Sequence, residues 1–181
     1  HYFVSRENIK PLNIPGPGPR VHFGMAYDRA RKKVVLYGGL HKKEINDELW
    51  EFDGKTWEKI SVENPVGPRM WNAMVYADHL KMIVMCGGMT LKDQQGERTF
   101  TDDTWGWDGK TWTLLATGGP SSLLPALGYD PARRTIVFFG GSGPDNTLLS
   151  ALWELKDKKW EFISDNGKWQ WVKGSGYVRI N

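Results

Sequence analysis

Residues 48–57 read E-L-W-E-F-D-G-K-T-W, and residues 103–112 return to the same phrase as D-T-W-G-W-D-G-K-T-W. A third copy, A-L-W-E-L-K-D-K-K-W, occupies residues 151–160. In the first two copies large residues alternate, Asp53-Gly54 or Asp108-Gly109 supplies residues that tolerate positive φ, and a second strand follows. That is a β-hairpin signature. A two-residue loop at Asp53 and Gly54 places Phe52 opposite Lys55, Glu51 opposite Thr56 and Trp50 opposite Trp57, a cross-strand aromatic pair. The third copy has Lys156-Asp157 at the turn, which predicts a longer or looser connection, but it keeps its tryptophan pair, Trp153 and Trp160.

Each hairpin closes a longer unit. Upstream of the first, V-H-F-G-M-A-Y-D (21–28) is strand-like, residues 29–33 form a charged turn, V-V-L-Y runs into Gly38-Gly39, and a loop over 40–47 leads to the hairpin. Four short strands thus fit residues 20–61, and the same order recurs over 69–117 and 123–164. Aligned on their diglycines, the units bring Tyr27, Tyr76 and Tyr129 into register, 49 and then 53 residues apart. A four-stranded unit of this period cannot bury both of its faces alone, so neighbours must stack on it. Before the first unit, residues 2–8 resemble the closing strand of a unit. Residues 11–19 then hold four prolines and two glycines, an extended connector. After the third unit, K-W-Q-W-V (168–172) and residues 177–180 read as one more hairpin.

A Gly-Gly after an apolar strand, a Tyr-Asp or similar pair before it, and a Trp beyond the third strand resemble the kelch repeat, and the resemblance covers residues 20–164. It implies an all-β fold, a kelch-type β-propeller of four-stranded antiparallel blades over residues 1–181. Its parts are a terminal strand and connector (1–19), blades at 20–61, 69–117 and 123–164, and a terminal hairpin (165–181). Three blades do not close a ring, because propellers have four to eight. Three routes stay open: a reduced fourth blade in which the two ends of the chain clasp each other, a homodimer that pools three blades from each chain, or a chain cut from something longer.

Composition narrows the function classes. With 40% hydrophobic and 13% aromatic residues, 181 residues bury one sizeable core or a row of small ones. The net charge of +3 comes from 24 basic and 21 acidic residues, so no nucleic-acid or membrane partner is expected. Basic turns at residues 29–33 and 133–134 are solvated strand connections rather than a nucleic-acid surface. Cys86 has no second cysteine to pair with and lies in an apolar run, where a buried thiol is expected. No run is apolar enough to span a bilayer and no signal-peptide pattern is present, which reads as soluble and leaves the compartment unknown. The chain does not begin with Met, as a processed product or a fragment would not.

In such a scaffold, function belongs to the loops at the channel mouth. The loops after the diglycines supply His41, Lys43, Arg98, Asp145 and Asn146 as candidate binding residues. Arg20 and Arg69 are equivalent in their units, with Ser122 in the third. The family resemblance implies that an arginine here lines the channel and holds a carboxylate bidentately; the alternative is an arginine that ties neighbouring units together through backbone carbonyls. Trp71 adds an aromatic face, although its column, read as Phe23, Trp71 and Leu124, is that of a core position. His22 falls where the kelch pattern often has histidine, a structural place. None of His1, His22, His41 and His79 has a ligand-spaced partner, so no metal, cofactor or catalytic residue is expected. The copper chemistry of some kelch propellers does not carry over, because Cys86 sits in a different setting. The expected function is a non-enzymatic binding module for a protein or another polar or acidic ligand. Two alternatives remain: an enzyme, or the substrate-binding part of one, acting on a carbohydrate-like small molecule, and a structural unit that pairs its blades with another chain.

Overall fold

The computed structural model describes residues 14–91, 97–143, 147–172 and 176–180, and in them the chain is all-β with no helix. The first unit runs through β1 (Gly24–Asp28) and β2 (Lys33–Tyr37), a short hairpin β3 (Leu40–His41) and β4 (Glu44–Ile45), then β5 (Leu49–Phe52) and β6 (Trp57–Ile60). The second repeats this as β7 (Ala73–Ala77), β8 (Met82–Cys86), β9 (Met89–Leu91), β10 (Arg98–Phe100), β11 (Thr104–Trp107) and β12 (Trp112–Ala116). The third holds β13 (Ala126–Asp130), β14 (Thr135–Phe139), β15 (Leu152–Lys156) and β16 (Lys159–Ser164). A terminal hairpin, β17 (Lys168–Val172) and β18 (Gly176–Ile180), follows. Each unit forms one antiparallel four-stranded sheet, in the orders β1-β2-β5-β6, β7-β8-β11-β12 and β13-β14-β15-β16. The loops after the first two diglycines, expected to be irregular, are themselves small hairpins, because Leu40 pairs with Ile45 and Met89 with Phe100.

The repeated hairpin forms in a different register from the one the Asp-Gly pair predicts. Phe52 faces Trp57, Glu51 faces Glu58 and Trp50 faces Lys59, so the loop has four residues. The reason lies in the Asp53 side chain: its Oδ1 accepts the backbone N–H of Lys55 and of Thr56, both at 2.8 Å. Such Asx capping satisfies two donors that a two-residue turn would leave to the strand ladder. Asp108 does the same for Lys110 and Thr111, and Trp107 accordingly faces Trp112. The third copy reverses the expectation as well. Lys156 faces Lys159 around Asp157 (φ 48°) and Lys158 (φ 62°), a tight two-residue turn, since nothing there caps a longer loop.

The three sheets stack face to face. One core cluster joins Val35, Tyr37 and Leu49 of the first sheet to Met74, Tyr76, Ile83, Met85, Trp107 and Trp112 of the second. Another joins Ala77, Val84, Cys86 and Leu115 of the second to Ile136, Phe138, Leu155 and Trp160 of the third. The first strand of each sheet lies beside that of the next, β1 against β7 and β7 against β13. Each seam is stitched by a diglycine. Gly39 N–H donates to the Arg69 carbonyl and Gly88 N–H to the Ser122 carbonyl, both at 2.8 Å. At Gly38 (φ 70°) a Cβ would lie 2.2 Å from that same Arg69 carbonyl, so the position tolerates no side chain. Among the described residues no helix is long and apolar enough to cross a membrane.

Candidate functional site

The four-stranded sheets have two rims. One carries the diglycines and small hairpins, here the loop face; the other carries the β1–β2 and β5–β6 turns and their counterparts, here the turn face. On the loop face, Arg69 places both terminal guanidinium nitrogens on Asp103, at 2.7 and 2.9 Å, while Trp105 Nε1 donates to the same carboxylate at 2.6 Å. Arg69 is only 1% exposed. Arg20 meets Glu48 through a single nitrogen at 2.7 Å, with Trp50 Nε1 donating to the same carboxylate at 3.0 Å, and its other nitrogens donate to the backbone carbonyls of Gly38 at 3.1 Å and Pro17 at 3.0 Å. In the third unit both ends are replaced together: Ser122 stands for the arginine and Ala151 for the acid, and Ser122 Oγ donates to the Gly140 carbonyl at 2.8 Å. A buried charge without its partner is costly, so the pair is present whole or absent whole. The carboxylate facing each arginine thus comes from the chain itself. Burial alone would raise the carboxyl of Glu48, but hydrogen bonds from Arg20, Lys59 and Trp50 outweigh it and hold the group at about 2. Asp103 is held low in the same way, with burial opposed by Arg69 and Trp105.

Two residues beyond each arginine, the loop face presents a row that Phe23 does not belong to. His22, Trp71 and Leu124 are the equivalents, with φ of 64°, 60° and 53°. Trp71 N–H donates to the His22 carbonyl at 2.7 Å, and Leu124 N–H to the Trp71 carbonyl at 2.9 Å, so this row runs from sheet to sheet. The left-handed backbone turns these side chains outward. Leu124 is 60% exposed, Trp71 is half-buried rather than core, and its ring lies 4.9 Å from that of His22. Counting from the arginines rather than from the apolar residues would have found this column in the sequence.

Next to Trp71, Asn72 is buried, yet neither its Oδ1 nor its Nδ2 has a hydrogen-bond partner. Its amide crosses the seam toward Gly24, where a Cβ would meet Oδ1 at 1.9 Å. Nothing in the alternation of apolar residues singles out this asparagine. The other candidates lie around the same rim. His41 Nδ1 lies 2.7 Å from the Pro19 carbonyl. Lys43 (φ 70°) is exposed in the β3–β4 turn, and Arg98 is exposed on β10. Asp145 and Asn146 lie outside the described residues, as does the strand expected within residues 2–8. Among the described residues no three His, Cys, Asp or Glu side chains converge as a metal site, and burial pushes the Cys86 thiol well above its usual range.

The turn face repeats a second polar motif. In the first sheet Arg31 Nε pairs with Asp28 at 2.7 Å and its NH1 with Glu51; Lys33 reaches Glu51 at 2.9 Å, and Trp107 Nε1 of the second sheet donates to Glu51 at 3.0 Å. In the third sheet Arg133 pairs with Asp130 and Glu154, and Lys156 reaches Glu154 at 2.8 Å. The second sheet lacks all three members, with Ala77, Leu80 and Gly106 at their places. Its seam with the third sheet opens into a cavity of about 300 Å³, lined by His79, Leu80, Leu115, Ile136, Leu155, Asp157 and Lys158.

No family model and no curated protein matches the chain. Among solved structures it is similar to that of YjhT, at 14% identity and a TM-score of 0.57, over 80% of this chain and 46% of that one. The chain therefore spans about half the length of that structure, and at this identity the likeness concerns the fold alone.

Proposed function

We propose that the chain is an arc of a kelch-type β-propeller serving as a non-enzymatic binding module, with its ligand seated on the loop face over the row His22, Trp71 and Leu124. The observation that carries this reading is the row itself: left-handed backbone at His22, Trp71 and Leu124 turns an exposed imidazole, an indole and a 60% exposed leucine onto one rim, with the His22 and Trp71 rings 4.9 Å apart. An aromatic face beside an imidazole suits a polar ligand that stacks and hydrogen-bonds at once, whereas the Asn72 amide is enclosed in the seam beneath it. Arg20 and Arg69 support the rim from beneath, because their charges are matched by Glu48 and Asp103.

Peptide and glycan arrays probed with the chain and with two variants test the reading. Trp71→Ala should weaken any captured ligand by roughly tenfold or more. His22→Ala should weaken it as well, through loss of the exposed imidazole that hydrogen-bonds the ligand. Capture that survives both substitutions would remove the loop face from consideration.

A second reading, as an assembly unit, is favoured by the outer sheet faces. Met25 and Tyr27 of the first sheet are each 54% exposed, and Phe139 and Ile163 of the third are 47% and 46% exposed. These positions face the direction in which a neighbouring sheet would stack.

A further inference from the structure

The two seams are built from equivalent residues, and they differ at one place. At the first seam Trp107, fully buried, fills the space beside Arg31, Ile60 and Ile83, and Gly109 lies against the Arg31 guanidinium. At the second seam Leu155 stands for Trp107, Leu80 for Arg31, and Leu115 and Ile136 for Ile60 and Ile83. These four residues are the apolar wall of the 300 Å³ cavity. The volume taken at one seam by an indole ring is open at the other.

The rim of the cavity is polar on one side. His79 stacks on Tyr129 at 5.4 Å with planes 9° apart, and its Nδ1 lies 3.1 Å from the tyrosine hydroxyl, which fixes the ring. Beyond it a shallower cleft of about 330 Å³ is lined by His79, Arg133, Arg134, Lys156 and Asp157. Glu154 and Asp130 match Arg133 and Lys156, whereas Arg134 and Lys158 have no ion-pair partner among the described residues. Both hold left-handed backbone angles, φ 54° and 62°, at turns on this face. Lys158 lines the slot and Arg134 the adjoining cleft, so these two cations outnumber Asp157, the one acid on either lining; an apolar slot sized for a fused ring beside a net positive rim matches one ligand chemistry.

We infer that the seam between the second and third sheets is a binding site for a small planar aromatic carboxylate, its ring taking the position of the Trp107 indole and its carboxylate meeting Lys158 and Arg134. The site is distinct from the loop face and does not depend on the reading given for it. Its volume is at the lower end of small-molecule sites, which restricts it to one fused ring system with a short acidic arm.

Calorimetric titration of the whole chain with indole-3-acetate tests the assignment. One saturable site is expected, with neutral indole bound about tenfold more weakly, the loss of one charge-assisted hydrogen bond. Lys158→Ala with Arg134→Ala should reduce affinity for the acid to that for indole, while Leu155→Trp should fill the slot, abolish binding of both compounds and raise the melting temperature. Absence of saturation at millimolar concentration, or undiminished binding by folded Leu155→Trp, would overturn the site. Equal affinity for the acid and for indole would overturn the anionic end of the assignment.

Discussion

Arg69 shows how one side chain organises its surroundings. Its guanidinium is buried against Asp103 in bidentate geometry, and the third unit shows the same location built without charge, from Ser122 and Ala151. Removing one partner strands the other, whereas removing both leaves only a packing defect. Arg69→Ser alone should therefore cost about 3–5 kcal/mol, and Asp103→Ala alone a comparable amount. The double substitution should cost distinctly less than the sum of the two. Urea unfolding of the four proteins completes the cycle, and additive losses would show that the pair is not coupled. The same logic explains the turn face, where Ala77, Leu80 and Gly106 stand together in place of the Asp-Arg-Glu set found in both other sheets.

At the scale of the element, the three hairpins separate sequence similarity from conformation. Two carry Asp-Gly and make four-residue loops, because the aspartate caps the turn; the third carries Asp157-Lys158 and makes the two-residue turn. In that turn both central residues sit at positive φ without a glycine, an arrangement that strains a lysine backbone. Replacement of Asp157-Lys158 by Asn-Gly should relieve it and stabilise the chain by about 0.5–1 kcal/mol. Thermal denaturation would register this as a rise in midpoint, and a fall would mean that the lysine side chain contributes contacts outweighing the strain.

For the whole molecule, the question is what lies beyond the outer sheets. The first sheet's Met25 and Tyr27 and the third sheet's Phe139 and Ile163 form apolar faces of the kind that are covered at the two internal seams. Apolar sheet faces associate. If the assembly reading holds, light scattering on a size-exclusion column should give a mass above the 20.6 kDa chain that rises with concentration, and Phe139→Lys should return it to the monomer. A monomer at all concentrations would point instead to faces covered within one chain.

The repeated sheet was legible in residues 48–57 because its causes are local: alternation of large side chains, an Asp-Gly pair and a glycine pair each act within a few residues, and threefold recurrence multiplied the signal. The hairpin register departs from the Asp-Gly expectation for a local reason too, since Asp53 competes with the strand ladder through its own side chain. Much of the candidate site could not be read this way. That Arg69 meets Asp103, that Asn72 is buried without a partner, and that Leu155 leaves open what Trp107 fills are outcomes of how sheets stack, and they join residues far apart in the chain. By itself the sequence determined that this protein is a series of four-stranded antiparallel sheets, because strand and turn formation depend on neighbours along the chain. Only the tertiary structure decided which charges are already matched, which amide is unpaired and where a cavity lies, because burial and pairing are properties of the space between sheets.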